Sequence, residues 1–180
     1  MPARNGAGPH VLVVVATRHG ATEGIAEAIT RDLPATEAGS RVGLTAVVQR
    51  ADHDPNPAGA DAIVLGSAVY AGRWLEPARE YVSRHATVLR ERPVWLFSSG
   101  PIGDPPFPPD EPHDVHPLVQ LIGARGHRVF AGRLDKALLS WGERAMVTAM
   151  RAPLGDFRDW AAVRAWSEEI ATALADQGSG

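Results

Sequence analysis

The sequence predicts an α/β protein built on a doubly wound parallel sheet. Three observations carry that expectation. Short apolar runs alternate with longer segments of helical period, the first run is apolar without interruption, and three of the runs lead into loops of unusual composition. Such alternation marks βαβ units, with helices covering both faces of a parallel sheet.

Each element follows from local pattern. Val11 to Val15 reads as a central strand buried on both faces. Ile25, Ile29 and Leu33 recur every fourth residue and form one face of a helix, with Glu23, Glu27 and Arg31 on another. Val42, Leu44, Ala46 and Val48 alternate with other residues, which predicts a less buried second strand. Ala62 to Leu65 is the third strand, closed by Gly66. Leu75, Ala78, Val82, Ala86 and Leu89 step by three or four along an amphipathic helix that tolerates Pro77 in its first turn. Val94 to Phe97 is the fourth strand. The stretch from Gly100 to Pro117 holds seven of the fifteen prolines and reads as an ordered loop. Leu118, Val119, Leu121 and Ile122 begin a short helix that ends in the Gly123 to Gly126 region, and Val129 and Phe130 lie in the fifth strand. Helical patterns near Lys136 to Met150 and Trp160 to Ala175 finish the chain.

Composition bounds the function. The 180 residues suit one domain, 1–180, with flexible flanks at 1–9 and 176–180 and no internal repeat. A net charge of −3 argues against a broad nucleic-acid footprint. With no cysteine, disulfides, iron–sulfur clusters and thiol chemistry are excluded, so a redox role needs an added cofactor. No apolar run approaches the roughly 20 residues that span a bilayer. Met1 to Pro9 lacks the apolar core of a signal peptide. The expected location is the cytoplasm, with peripheral contact at the inner face of the membrane left open.

In a doubly wound sheet, ligands bind beyond the carboxyl ends of the strands, so the loops after strands one, three and four are the candidates. The first is Thr17, Arg18, His19, Gly20, Ala21 and Thr22. A phosphate there would meet unpaired backbone N–H groups and the positive end of a helix. The plainer reading is a strand-to-helix turn with Thr22 as N-cap. The second loop is Ser67, Ala68, Val69, Tyr70, Ala71 and Gly72. Tyr70, and after it Trp74, are candidates to stack on a planar heterocycle; the alternative is packing. The third begins Ser98, Ser99, Gly100, Pro101, Ile102 and Gly103, small residues that leave room for a ligand or simply make a turn.

Together these residues resemble the flavodoxin superfamily. The segment from Thr17 to Thr22 is similar to its Thr/Ser-x-Thr-Gly-x-Thr/Ser phosphate loop, matching at Thr17, Gly20 and Thr22, with His19 in place of the third hydroxyl. The closer resemblance is to the flavodoxin-domain family that includes the menaquinone-dependent protoporphyrinogen oxidases. It rests on Thr17 to Thr22, on Gly66 to Gly72, on the His85 to Leu89 pattern and on the run Gly155-Asp156-Phe157-Arg158-Asp159-Trp160. The resemblance implies a flavodoxin-like five-stranded sheet of order 2-1-3-4-5. It also implies FMN, with its phosphate at residues 17–22 and its ring between 67–72 and 98–103. No side chain is needed as nucleophile or base.

The implied function is an FMN-dependent oxidoreductase, acting on protoporphyrinogen or passing electrons to a quinone. The alternatives are an electron carrier that docks to a redox protein, and a flavin-free interaction domain that keeps the fold. The apolar segment 136–150 reads as a cap over a hydrophobic substrate, a contact with a quinone-bearing membrane or partner, or packing on the core. Asp104, Asp110, Glu111 and Asp114 would place acids beside the flavin. His113 and His116 match no zinc spacing, and no Gly-x-Ser-x-Gly elbow is present.

Overall fold

Alternating apolar runs become parallel strands crossed by helices on both sides. The computed structural model describes residues 7–100, 112 and 114–178. Pro101, Ile102 and Gly103, with Asp104, Asp110, Glu111 and His113, lie outside the described residues.

In chain order, β1 (His10–Ala16) leads to α1 (Ala21–Ala35), α2 (Glu37–Val42) and β2 (Thr45–Arg50). Then come β3 (Ala62–Tyr70), β4 (Arg73–Trp74), α3 (Glu76–Arg90), β5 (Val94–Ser99), α4 (Val115–Ile122) and β6 (Gly126–Phe130). The remainder is β7 (Arg133–Leu134), α5 (Trp141–Ala149), β8 (Gly155–Asp156) and α6 (Trp160–Gln177). The main sheet runs β2-β1-β3-β5-β6, all parallel, with β4 folded back antiparallel on β3. Counting only the five parallel strands, this is the order 2-1-3-4-5 expected from the sequence.

Because side chains alternate along a strand, β1 feeds two cores. Val11, Val13 and Val15 pack with Ile25 and Ile29 of α1 and Trp166 and Ile170 of α6 on one face. Leu12 and Val14 pack with Tyr81 and Val82 of α3 and Ile122 of α4 on the other. Val13 sits opposite both Val48 and Val64, which fixes the register at the centre of the sheet.

Several local expectations are corrected. Val42 ends α2 and does not begin a strand, because the Thr36 side chain caps that helix by accepting from the Gly39 N–H at 2.9 Å. Gly43, at φ 66°, stops it, and β2 starts at Thr45. Strand β3 does not close at Gly66. The Phe97 ring of β5 lies where a Gly66 Cβ would be, so this glycine permits close packing and the strand runs on to Tyr70. The helical pattern near 136–150 divides into a 3-10 turn at Lys136–Leu138 and α5. Helix α6 continues through Gln177, into the segment expected as a tail.

Candidate cofactor site

The register of the sheet brings the three candidate loops to one level. Ala16 pairs with Ser67, and Ala68 pairs with Ser99, so β1, β3 and β5 all reach the same edge. A cavity of about 410 Å³ opens there, within the usual range for small-molecule sites.

In the first loop, the Thr17 hydroxyl accepts from the Gly20 N–H at 3.0 Å, folding the chain sharply into α1. Gly20 is the N-cap of α1 at φ 82°, with no side-chain cap, so Thr22 is not the cap but a residue of the helix, 1% exposed. Thr17, Arg18, His19, Ala21 and Thr22 line the cavity. Gly20 does not, and a Cβ added to it would meet nothing within 4 Å. Its contribution is the left-handed backbone and not extra room.

The second segment is the end of β3 and a hairpin. Ala71 and Gly72 both have positive φ, as a two-residue turn back into β4 requires. Ala68, Val69, Tyr70, Ala71 and Gly72 line the cavity. Tyr70 is 37% exposed, and the Arg18 guanidinium lies 4.4 Å from its ring centroid. Ser67 does not reach the cavity: its hydroxyl donates to the Ala68 carbonyl and accepts from the Leu75 N–H. Trp74 is also buried away from it, because the hairpin turns its indole into the core, where Nε1–H donates to Ser98. The stacking role expected for Trp74 as second choice is therefore ruled out by its position. Of the third segment, Ser99 and Gly100 line the cavity, while Ser98 is fully buried beneath it.

The segment that the sequence left with three readings forms the far wall. Strands β7 and β8 pair antiparallel, Arg133 with Asp156 and Leu134 with Gly155, so the excursion between them leaves and returns at one place. We call residues 135–154 the strap. Leu139, Met146, Val147 and Met150 of the strap line the cavity opposite the three loops. The Gly155 to Trp160 run is the clasp at its base. Arg158 grips Asp156 through two nitrogens, at 2.8 and 2.6 Å, and its Nη1 reaches the Ala21 carbonyl at 3.5 Å. Asp159 then caps α6 by accepting from the Ala162 N–H at 3.0 Å.

Sequence reasoning missed Gly132, Arg133, Leu134 and Ala152 of the lining, and above all a buried acid. Glu143 of α5 is 5% exposed and lines the cavity beside the first loop. Its Oε1 lies 2.5 Å from Arg18 Nε and 3.2 Å from His19 Nε2. Its Oε2 accepts from the Ser140 N–H at 2.7 Å, while the Ser140 hydroxyl accepts from the Glu143 N–H, completing a capping box. Burial works against the charged form, but the Ser140 N–H, His19 and Arg18 outweigh it and hold the carboxyl at about 2. The Ser140-x-x-Glu143 spacing was legible as a helix start; nothing in it revealed the partner loop.

Two other described residues singled out in the sequence bond within the fold. Asp114, the described acid of the proline-rich stretch, accepts from the Trp74 N–H at 3.2 Å and faces Arg79. His85 bonds Asp54 at 2.8 Å and packs on the Tyr81 ring. Among the described residues, no helix is long and apolar enough to cross a membrane.

The model of the flavodoxin domain family matches residues 12–160. No curated protein matches the sequence. Among solved structures, rubredoxin oxygen:oxidoreductase from Desulfovibrio gigas is 11% identical with a TM-score of 0.61, covering 99% of this chain. This chain spans only 39% of that protein. A flavodoxin from the domain Archaea is 13% identical with a TM-score of 0.53, over 95% of this chain and 99% of its own. A Pseudomonas aeruginosa flavodoxin variant is 15% identical with a TM-score of 0.53, over 92% of this chain and 98% of its own. At such identities the likeness establishes the fold.

Proposed function

The chain belongs to the flavodoxin domain family, and from that premise we propose that its cavity binds FMN in an electron-transferring oxidoreductase. The observation that carries this reading is the meeting of an amide-rich helix start and an apolar slot in one cavity. The two ends of that cavity suit the two ends of a flavin nucleotide.

Thr17, Thr22 and the N–H groups of the 17–22 loop other than that of Gly20 would hold the phosphate, aided by the positive end of α1. Val69, Tyr70 and the backbone of Ala68 to Gly72 would flank the ring on one side, and Ser99 with Gly100 on another. When bound, the flavin supplies the redox chemistry. The residues of this chain bind it, orient it and exclude water from it. For the electron acceptor or donor we infer a planar apolar molecule, a quinone or a porphyrinogen. Leu139, Met146, Val147 and Met150 support that choice, because they give the cavity an apolar wall beyond the slot. We place the reaction in the cytoplasm, with a lipid-borne acceptor met at the membrane face.

A second reading, a carrier that docks to a redox protein, is favoured by the exposed Trp141, Met150 and Leu154 on the strap. Purified protein titrated with FMN separates these. Saturable flavin binding with turnover of a quinone supports the oxidoreductase, and reversible reduction with no turnover of quinones or porphyrinogens supports the carrier. Protein that neither carries nor takes up flavin overturns both.

A further inference from the structure

The flavin reading leaves one charge unexplained, a buried carboxylate at the loop assigned to an anion. Glu143 lines the same cavity as Thr17, His19 and Thr22. Its Oε1 engages both Arg18 and His19. Arg18 is the one arginine or lysine between residues 17 and 22, and its charge already faces a carboxylate. The other arginine reaching this end of α1, Arg158, is held by Asp156. Glu23 of the first turn of α1 faces Arg50 at 3.9 Å. Each of these cations faces an acid before any ligand arrives, while Arg133 of β7 also lines the cavity. A phosphate dianion would meet amide dipoles together with a fixed like charge, which opposes it. A flavin without phosphate escapes that opposition.

We propose that Glu143 determines specificity at this site: its charge cancels the attraction Arg18 would otherwise offer a phosphate, which narrows the preference for FMN over riboflavin. The inference rests on the flavin reading of the cavity. It differs from a purely structural role, in which Glu143 merely seats the strap and supports every flavin equally.

The test compares FMN and riboflavin affinities by fluorescence titration in the whole protein, in Glu143→Gln and in Glu143→Asp. Glutamine also serves in capping boxes, so α5 keeps its start while the charge is lost. Glu143→Gln is expected to raise the ratio of FMN to riboflavin affinity about tenfold, the effect of removing one nearby like charge. Riboflavin affinity should stay within about twofold of its starting value, because the neutral ligand does not feel that charge. Glu143→Asp should keep the original ratio. An unchanged or lowered ratio in Glu143→Gln overturns the inference, as does a parallel loss of both affinities. If the unaltered protein binds neither flavin, the flavin reading itself fails and this inference with it.

Discussion

The indole Nε1–H of Trp74 donates to the Ser98 hydroxyl at 2.7 Å, and that hydroxyl lies 2.7 Å from His127 Nε2. This pair ties the β3–β4 hairpin to the centre of the sheet beneath the cavity. Trp74→Phe leaves Ser98 its His127 partner, so the expected cost is about 1 kcal/mol, read by denaturant unfolding, with FMN affinity unchanged. Tyr70→Ala is expected to behave oppositely. Stability should move by no more than about 0.5 kcal/mol, as for most half-exposed positions, while FMN affinity falls.

Gly66 and Phe97 share one volume between neighbouring strands. Gly66→Ala should destabilise the protein by about 1–3 kcal/mol through overpacking. Pairing it with Phe97→Leu should recover part of that loss, because the smaller side chain yields the space. Unfolding midpoints of the single and double variants measure the coupling.

Gly20 presents a backbone requirement with no steric neighbour. Gly20→Val is expected to cost about 1–2 kcal/mol in ligand-free protein, the penalty of left-handed backbone for a branched residue. FMN affinity should fall as well, because the loop amides lose their alignment. Calorimetry without ligand, followed by titration, separates the two effects.

Arg158 closes the base of the strap through its two-nitrogen contact with Asp156. Arg158→Lys should not replace it, since an ammonium cannot reproduce the planar fork. The expected result is faster proteolytic cleavage and amide exchange within 135–154, with protection of the β1 and β3 amides unaltered.

Glu143 predicts an acid-sensitive strap. Its carboxyl is held at about 2, below the ordinary 4.5. Its contribution is therefore complete above pH 4.5 and is lost as pH falls toward about 2. Glu143→Gln should flatten the pH dependence of unfolding across that interval while lowering stability at neutral pH.

The strand-to-helix turn after β1 and the sheet order were legible because both are written locally: an apolar run, then Thr17 to Thr22, then a helical period. Ser67 and Ser98 were indistinguishable from ligands by composition. Their hydroxyls turned out to bond inward, a matter of strand register that a list of residue types does not contain. Trp74 was misplaced for the same reason, since a hairpin turn decides which face an indole takes.

The sequence alone determined the layered α/β architecture and the strand-to-helix turns that meet at one edge of the sheet, because periodicity and composition are properties of neighbouring residues. Only the tertiary structure decided that the strap closes the cavity and that its Glu143 meets Arg18. Contacts between residues so distant in the chain are set by how two cores pack on one sheet, and no local pattern encodes that.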